Sequence, residues 1–414
     1  MTTSTSWRPF CMVSLALMMG TMGTALASPL YPLYQALWHL VPSQITYIFV
    51  AYMFGCLATL LFLGRTSNSI GYLRTLQVGL VFISIGLVIS AYASDALILS
   101  LGRFIIGIAS GLMTTSALLG LMYTVPKSHQ QIAPQLSSII TAVGFGLGPL
   151  IGGLIAQFSE YPLVSPYLPV ILGAVLCFFG LFWVESPTFT AQPFSIAPKL
   201  LRPEVQYHQL FLIVGFTAFS AFAAFSLFAS LSPSFVRDIL PWHGPLISGS
   251  AITSILIVSA VVQYFARSIP AYKCLNYGLI TLIASLGILA LCMLFQLSAF
   301  FFISDFLVGV GHGLTLIGSF GLIHAMTSLE NRAAVMSTYL FIGYLGTIVP
   351  IVAVGYLADH FGLSFGVISF SIVIALLCFY LWFAHKGSIR SGLKIKSPDQ
   401  RAFSSIAVLF SNTE

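Results

Sequence analysis

Two stretches of the sequence, LGRFIIGIASGL at residues 101–112 and ISDFLVGVGHGL at residues 303–314, align with each other without a gap. The alignment places Arg103 opposite Asp305, an offset of 202 residues. Both stretches are mainly apolar, with small residues at regular intervals, which is typical of helices packed inside a membrane. The sequence therefore predicts an internal duplication of membrane-spanning segments.

Proline residues repeat at nearly the same spacing, since Pro32 matches Pro233 and Pro149 matches Pro350. Two halves of six apolar segments each fit this repeat. Because each half has an even number of segments, both halves enter the membrane in the same sense and are related by an axis along the membrane normal. Halves arranged in this way enclose a central cavity.

The composition identifies the apolar segments as membrane spans. Apolar residues make up 58% of the 414 residues and charged residues only 6%, whereas a soluble domain carries about 25% charged residues. Each span needs about 20 apolar residues, and twelve such runs are present. They lie near residues 10–33, 44–63, 75–93, 97–122, 134–158, 167–184, 208–231, 246–266, 274–295, 298–325, 334–357 and 364–384.

We therefore predict an all-α integral membrane protein with twelve transmembrane helices in two pseudo-symmetric six-helix bundles. The first bundle covers residues 1–184 and the second residues 208–385. Residues 185–207, which are rich in proline, are predicted to form a cytoplasmic connector, and residues 386–414 a basic cytoplasmic tail. So few charges exclude a nucleic-acid binder and a conventional soluble enzyme.

The distribution of basic residues predicts the orientation. With both termini in the cytoplasm, fourteen of the sixteen lysines and arginines lie in cytoplasmic segments, and Arg237 is the one base of an outer loop. The fourteen are Arg8, Arg65, Arg74, Lys127, Lys199, Arg202, Arg267, Lys273, Arg332, Lys386, Arg390, Lys394, Lys396 and Arg401. The positive-inside rule favours this arrangement. Short loops without glycosylation sequons indicate a bacterial inner membrane.

Small residues form two rows within predicted spans. In the fifth span the row is Gly144, Gly148, Pro149, Gly152 and Gly153. In the fourth span Gly107 and Gly111 follow Arg103 at intervals of four residues. Glycine rows allow close helix packing, and an arginine within a membrane is costly unless it is paired or hydrated. The arginine is therefore a functional candidate.

A third motif lies in the loop after the second span, where Gly64, Asn68, Gly71 and Arg74 fit a tight, basic turn. With these three motifs the chain resembles the major facilitator superfamily of secondary transporters over essentially its whole length. The glycine row is similar to the signature of proton-coupled drug exporters, although close packing alone also explains it. The family loop carries an aspartate where Asn68 stands, so a charge-based latch is not expected here.

Few ionisable residues lie within the spans, namely Arg103, Asp305, His312 and, near one end, His324. Asp305 and His312 are seven residues apart, so on a helix they lie on one face, about 20° apart in azimuth and about 10.5 Å apart in height. An acid or a histidine in a cavity that alternately wets and dries can load and release protons. We predict that they form a proton-coupling pair. Alternatively, Asp305 only caps the outer end of its span or binds water there, and His312 forms a hydrogen bond with a backbone carbonyl.

The repeat places Arg103 and Asp305 at the same depth, and we predict that they contribute to an outer gate.

The predicted substrate cavity includes Tyr31 and Tyr34 at the end of the first span, where interface anchoring is the alternative. The seventh span carries a phenylalanine stripe that faces either the cavity or lipid. Its members are Phe216, Phe219, Phe222 and Phe225.

The resemblance implies a secondary transporter that moves a small organic solute by alternating access, most simply a proton-coupled exporter of drug-like or amphipathic compounds. The absence of a carboxylate from residues 10–33 weakens the case for cationic drugs. The alternatives are a sugar or metabolite carrier working as an uptake symporter or facilitator, and a non-transporting membrane receptor. We expect a monomer in the lipid bilayer, with a small-molecule substrate and protons as partners. No enzyme activity, cofactor, metal ion or nucleic acid is expected.

Overall fold

The computed structural model describes residues 7–64, 66–126, 129, 133–185, 193–194, 196, 200–328 and 331–390. These residues form helices and connecting turns, with no strand among them. Twelve helical segments are long and apolar enough to cross a membrane, which confirms the predicted number of spans. The tail from residue 391 onward and much of the predicted connector, residues 186–192, 195 and 197–199, lie outside the described ranges.

Eight α-helices lie in the described part of the first half, and seven of them supply its six spans. They are α1 (Arg8–Ala25), α2 (Tyr31–Trp38), α3 (Pro42–Ala58), α4 (Thr66–Ile70), α5 (Tyr72–Ala91), α6 (Ala96–Thr124), α7 (Ala133–Phe158) and α8 (Leu168–Gly180). The turn Ser28–Leu30 joins α1 to α2, so the first span runs over Arg8–Trp38 and is longer than the sequence predicts. Proline in the first turn of α2 is compatible with the helix, because backbone N–H groups in a first turn have no acceptor within the helix and no hydrogen bond is lost.

The second half contains seven helices. They are α9 (His208–Ser230), α10 (Ser232–Ile239), α11 (Pro245–Ala266), α12 (Ala271–Phe295), α13 (Ser298–Met326), α14 (Arg332–Phe361) and α15 (Leu363–Arg390). The short helix α10 lies between two spans, and the other six helices supply the spans. With an even number of spans, the first span begins and the last span ends at one face of the molecule, which we call the terminal face. The other is the opposite face.

The glycine row of α7 packs this helix against two neighbours. A Cβ atom at Gly148 would lie 2.5 Å from the carbonyl oxygen of Met22, and one at Gly152 would lie 2.7 Å from that of Leu26. Gly144 likewise packs against α1, whereas Gly153 and Pro149 contact the start of α11 in the other half. The row therefore serves both packing within a half and contact between the halves.

The small residues of α6 have a comparable role. A Cβ at Gly107 would collide with the backbone of α3, where Gly55 approaches equally closely, and Gly111 contacts the side chain of Thr59. At the terminal face, α3 ends in a π-helical turn followed by Gly64 and α4, where Asn68 is exposed. Gly71 has φ 86°, a value that glycine adopts without strain. Its turn directs the chain into α5, where Arg74 is exposed.

The two halves touch at the opposite face. The backbone N–H of Ser43, in α3, donates a 3.0 Å hydrogen bond to Asp359 Oδ1, in α14. Asp359 therefore lies in a helix and forms a contact between the halves. Ser234 Oγ donates a 3.0 Å hydrogen bond to Gln35 Oε1. These contacts join the two halves at the opposite face.

Candidate functional site

Arg103 lies in the interior of the first half, seven residues after the start of α6. Its side chain is 1% exposed. One nitrogen, Nη1, donates a 2.6 Å hydrogen bond to the carbonyl oxygen of Thr24 in α1. The guanidinium carbon lies 5.1 Å from the centre of the Tyr52 ring of α3, a distance typical of a cation–π contact. The Nε atom is buried and has no hydrogen-bond partner.

Tyrosine side chains surround the guanidinium. Tyr34 and Tyr167 share a 2.9 Å hydrogen bond between their hydroxyls, and both are buried. The hydroxyl of Tyr31 lies beside Arg103 but completes no well-aligned hydrogen bond with any described residue. The two tyrosines predicted to line a cavity, Tyr31 and Tyr34, therefore lie in the packed core of the first half, next to the buried cation.

Asp305 occupies the matching position in the second half, seven residues after the start of α13. It is buried, and its Oδ2 atom accepts a hydrogen bond from the hydroxyl of Ser254 in α11. Its other oxygen, Oδ1, is buried without a partner. The carboxyl group therefore retains one unused acceptor atom in the protein interior.

His312 lies two turns further along α13 and also points towards α11. Its Nδ1 atom is 2.9 Å from the hydroxyl oxygen of Ser259, which accepts a 3.2 Å hydrogen bond from Gln263 Nε2. The histidine thus bonds a side chain of a neighbouring helix, rather than the backbone carbonyl that the alternative interpretation assumes. Asp305 and His312 line one side of α13, and α11 supplies a serine to each.

The phenylalanine stripe of α9 divides along its length. The rings of Phe222 and Phe225 lie 6.0 and 5.7 Å from the His312 ring, measured between ring centres. Phe219 packs its backbone against Gly346 of α14. Phe216 is 40% exposed, so this end of the stripe lies at the surface. Two of the four phenylalanines of the stripe, Phe222 and Phe225, therefore lie beside the histidine.

A line of aromatic side chains connects the two halves between these groups. Tyr344, in α14, lies beside Tyr52 and within hydrogen-bonding reach of Cys56, both in α3. Its ring is also 5.9 Å from that of Phe222. Since Tyr52 contacts Arg103 and Phe222 contacts His312, contacts run from the buried cation to the histidine across the boundary between the halves.

The predicted gate partners, Arg103 and Asp305, each bond within their own half. Thr24 accepts from the arginine and Ser254 donates to the aspartate. No ion pair joins the two in the part of the chain that the structure describes. An Arg103–Asp305 gate therefore stays a prediction for a different arrangement of the halves.

Several contacting residues, including Tyr52, Ser254, Ser259 and Tyr344, were not singled out by the sequence. One signal for them exists, because the 202-residue offset that relates Arg103 to Asp305 also relates Tyr52 to Ser254. Tyr52, in the second span, touches Arg103 of the fourth span. Ser254, in the eighth span, touches Asp305 of the tenth. The described residues contain no group of three histidines, cysteines or acids arranged to hold a metal ion.

Comparison with known proteins follows this geometry. A sequence model of the Major Facilitator Superfamily matches residues 13–349. The chain is similar to the riboflavin transporter RibZ of Clostridioides difficile, with 21% identity over 186 residues, 45% of this chain and 41% of the relative. It is 35% identical to a triacylglyceride transporter of Mycolicibacterium smegmatis over 126 residues, which are 29% of this chain and 22% of the relative.

A third relative is a homologue of the multi-drug resistance efflux pump PmrA from Lactococcus lactis, 30% identical over 119 residues, 28% of this chain and 29% of the relative. The chain thus spans less than half the length of these curated relatives. Among solved structures, it resembles a bacterial homologue of the human lysosomal transporter Spinster, in an inward-facing and occupied conformation. The TM-score is 0.70 at 16% identity, over 94% of this chain and 97% of the other. This likeness supports the fold.

Proposed function

The chain belongs to the Major Facilitator Superfamily, and we propose that this transporter exports a small organic solute in exchange for protons, by alternating access. We further propose that its cargo is a drug-like or amphipathic compound, that it works as a monomer, and that both termini face the cytoplasm at a bacterial inner membrane. The positive-inside distribution of basic residues supports the orientation. No enzymatic step is part of the proposal.

The observation that carries proton coupling is the alignment of Asp305 and His312 on α13, opposite α11. Each is buried and each bonds a serine hydroxyl. A hydroxyl donates as well as accepts, so it can pair with either protonation state of its partner. Ionisable groups within spans are costly and are best explained by a role in moving ions or substrate. Two such groups at different depths provide successive positions for a proton.

The rings around His312 support an amphipathic cargo. Phe222, Phe225 and Tyr344 form an apolar and aromatic surface beside the histidine, at the boundary between the halves. Aromatic rings bind apolar surface without demanding directional hydrogen bonds. The relatives named above include a riboflavin transporter and a triacylglyceride transporter, and riboflavin and triacylglycerides both have large apolar or aromatic parts.

The test begins with a thermal-shift screen of the purified chain against dyes, biocides, sugars and amino acids. Compounds that bind are then added to everted membrane vesicles with an acidified lumen, and a pH-sensitive acridine dye reports the gradient. We expect a binding compound to dissipate part of the gradient when the wild-type chain is present. In Asp305→Asn the initial rate at which the compound dissipates the gradient should fall by about tenfold or more.

Asp95→Asn is the matched control, because asparagine also caps a helix and residue 95 lies outside the spans. It should behave as the wild type. If Asp305→Asn dissipates the gradient at the wild-type rate at equal protein level, proton coupling through Asp305 is wrong. If radiolabelled forms of the binding compounds do not cross the membrane in any vesicle, the transport proposal is wrong.

A further inference from the structure

The first half holds a buried cation without a counter-charge. No carboxylate within the described ranges forms an ion pair with Arg103, and the one acid at the same depth, Asp305, is bonded to Ser254 in the other half. Polar neighbours surround the guanidinium, namely a backbone carbonyl and tyrosine hydroxyls, and these carry no negative charge at neutral pH. An isolated charge in such an interior is costly unless something compensates it.

The same group has unused hydrogen-bonding capacity. A guanidinium carries five N–H donors, of which one satisfies the carbonyl of Thr24 and the one at Nε is buried without a partner. The buried hydroxyl of Tyr31 lies next to the guanidinium and finds no acceptor for its own proton among the described residues. A missing ligand that accepts hydrogen bonds from both and carries a negative charge would satisfy all three deficits.

We propose that Arg103, Tyr31 and Tyr52 form a binding site for the carboxylate of an amphipathic organic acid. The two oxygens of a carboxylate match the planar fork of a guanidinium and accept charge-assisted hydrogen bonds from it. Tyr31 donates a further hydrogen bond to the carboxylate, and the ring of Tyr52 positions the guanidinium through the cation–π contact. The inference names the substrate class of the transporter proposed above and rests on that function for its role in transport.

The two halves share the wall of this site, which explains how a ligand enters. Tyr52 separates Arg103 from Tyr344, and Tyr344 belongs to the second half. When the halves separate at this boundary, Tyr344 leaves Tyr52 and Cys56, and the first-half site opens towards the cavity. An acid held at Arg103 places its apolar body towards Phe222, along the aromatic line described above.

The site is tested by a pair of probes of nearly the same shape, 2-naphthoate and 2-naphthamide, in which a neutral amide replaces the charged carboxylate. Their affinities for the purified full-length chain are measured by calorimetry in detergent, in a buffer with gluconate in place of chloride. We expect the carboxylate to bind about tenfold or more tightly than the amide, as a charge-assisted pair does. Arg103→Gln should abolish this preference. Arg267→Gln removes an exposed arginine that stacks on Tyr264 and should leave it intact.

A second variant covers the possibility that Arg103→Gln does not fold. Tyr31→Phe removes the hydroxyl that is proposed to donate to the carboxylate. It should lower the affinity for 2-naphthoate by about fivefold and leave the affinity for 2-naphthamide unchanged. Equal affinity of the two probes for the wild type, or an undiminished carboxylate preference in Tyr31→Phe and Arg103→Gln, would overturn the site. Competition by chloride as strong as that by 2-naphthoate would overturn the organic substrate class.

The outcome is separable from that of the proposed function. A chain that carries neutral compounds and shows no carboxylate preference retains the transport function without the anion site. Conversely, a carboxylate preference that depends on Arg103, in a chain that moves no compound across vesicles, retains the site and contradicts transport.

Discussion

Arg103 and Asp305 occupy equivalent positions of the repeat, yet their surroundings differ. The arginine lies among tyrosines and leaves donor atoms unused, whereas the aspartate lies beside serine and leaves an acceptor atom unused. If the two charges met, each would satisfy the other. Because each instead bonds within its own half, the arginine remains available to an anion and the aspartate to a proton. The exchange proposed above would use both atoms, the arginine for the anion and the aspartate for the proton.

His312 gives the first prediction at the residue level. The amide of His312→Gln can replace the hydrogen bond to Ser259, whereas the ring of His312→Phe cannot. If the histidine carries protons, both variants should lose roughly tenfold in gradient-driven rate, and the dependence of that rate on pH should differ from that of the wild type, because Asp305 alone then remains to bind a proton. Initial rates in the vesicle assay between about pH 5 and pH 8 measure the effect. Recovery of the wild-type profile in His312→Gln would assign the histidine a purely structural role.

Asp95 gives a prediction about helix stability. Its Oδ1 accepts 2.9 Å hydrogen bonds from the backbone N–H groups of Leu97 and Ile98, so Asp95 is the N-cap of α6. The bond from Ile98, with those from Ser94 and Leu97, lowers the pKa of this carboxyl below its ordinary value. A lowered pKa in the folded state means that the stabilisation is present at neutral pH and is lost as the pH falls through that pKa.

Asp95→Ala should therefore accelerate hydrogen exchange at the first amides of α6, including those of Leu97 and Ile98. Asp95→Asn, which retains a capping oxygen, should protect them nearly as well as the wild type. Hydrogen exchange followed by mass spectrometry of the peptide that covers the start of α6 provides the measurement. Equal exchange in Asp95→Ala and the wild type at neutral pH would show that the cap does not hold this turn.

At the level of single helices, α7 contains its own matched control. A Cβ at Gly148 would lie 2.5 Å from the Met22 carbonyl, whereas one at Gly146 would lie 3.7 Å from the nearest atom, in Thr253. Overpacking of this kind costs about 1–3 kcal/mol. Gly148→Ala should therefore lower the thermal unfolding midpoint of the purified chain, and Gly146→Ala should leave it nearly unchanged. Similar midpoints in both variants would contradict the role of the glycine row in packing.

The helices were largely predictable from the sequence because each span is a continuous apolar run, and the duplication fixed their pairing. The contacts between side chains at the site were not predictable in this way. Whether Tyr31 faces a cavity, an interface or a buried arginine depends on how α1 to α3 pack, and hydropathy does not report packing between helices. The repeat offset does bring Ser254 to Asp305 once the contact of Tyr52 with Arg103 is known, so part of this information lies in the sequence.

For the whole molecule, the contacts between the halves determine which face is closed. At the opposite face, hydrogen bonds join α3 to α14 and the end of the first span to α10. Midway along the helices, Thr253 of α11 donates a 2.7 Å hydrogen bond to the carbonyl of Gly146 in α7. Alternating access requires that these contacts break together when the other face closes. Their combined strength therefore sets the population of the state seen here.

Gly249, in α11, tests this directly, because a Cβ at this position would collide with the carbonyl of Pro149 in α7. Gly249→Ala should destabilise the state that is closed at the opposite face and shift the population towards the open one by about tenfold, the effect of roughly 1.4 kcal/mol. The reporter is Ser43→Cys, because Ser43 is buried in the closed state. Its rate of reaction with a membrane-impermeant maleimide should rise severalfold in a chain that also carries Cys11→Ser. Gly287→Ala is the control, since no atom lies within 4 Å of its added Cβ, and equal labelling in the two alanine variants would show that this contact does not hold the halves together.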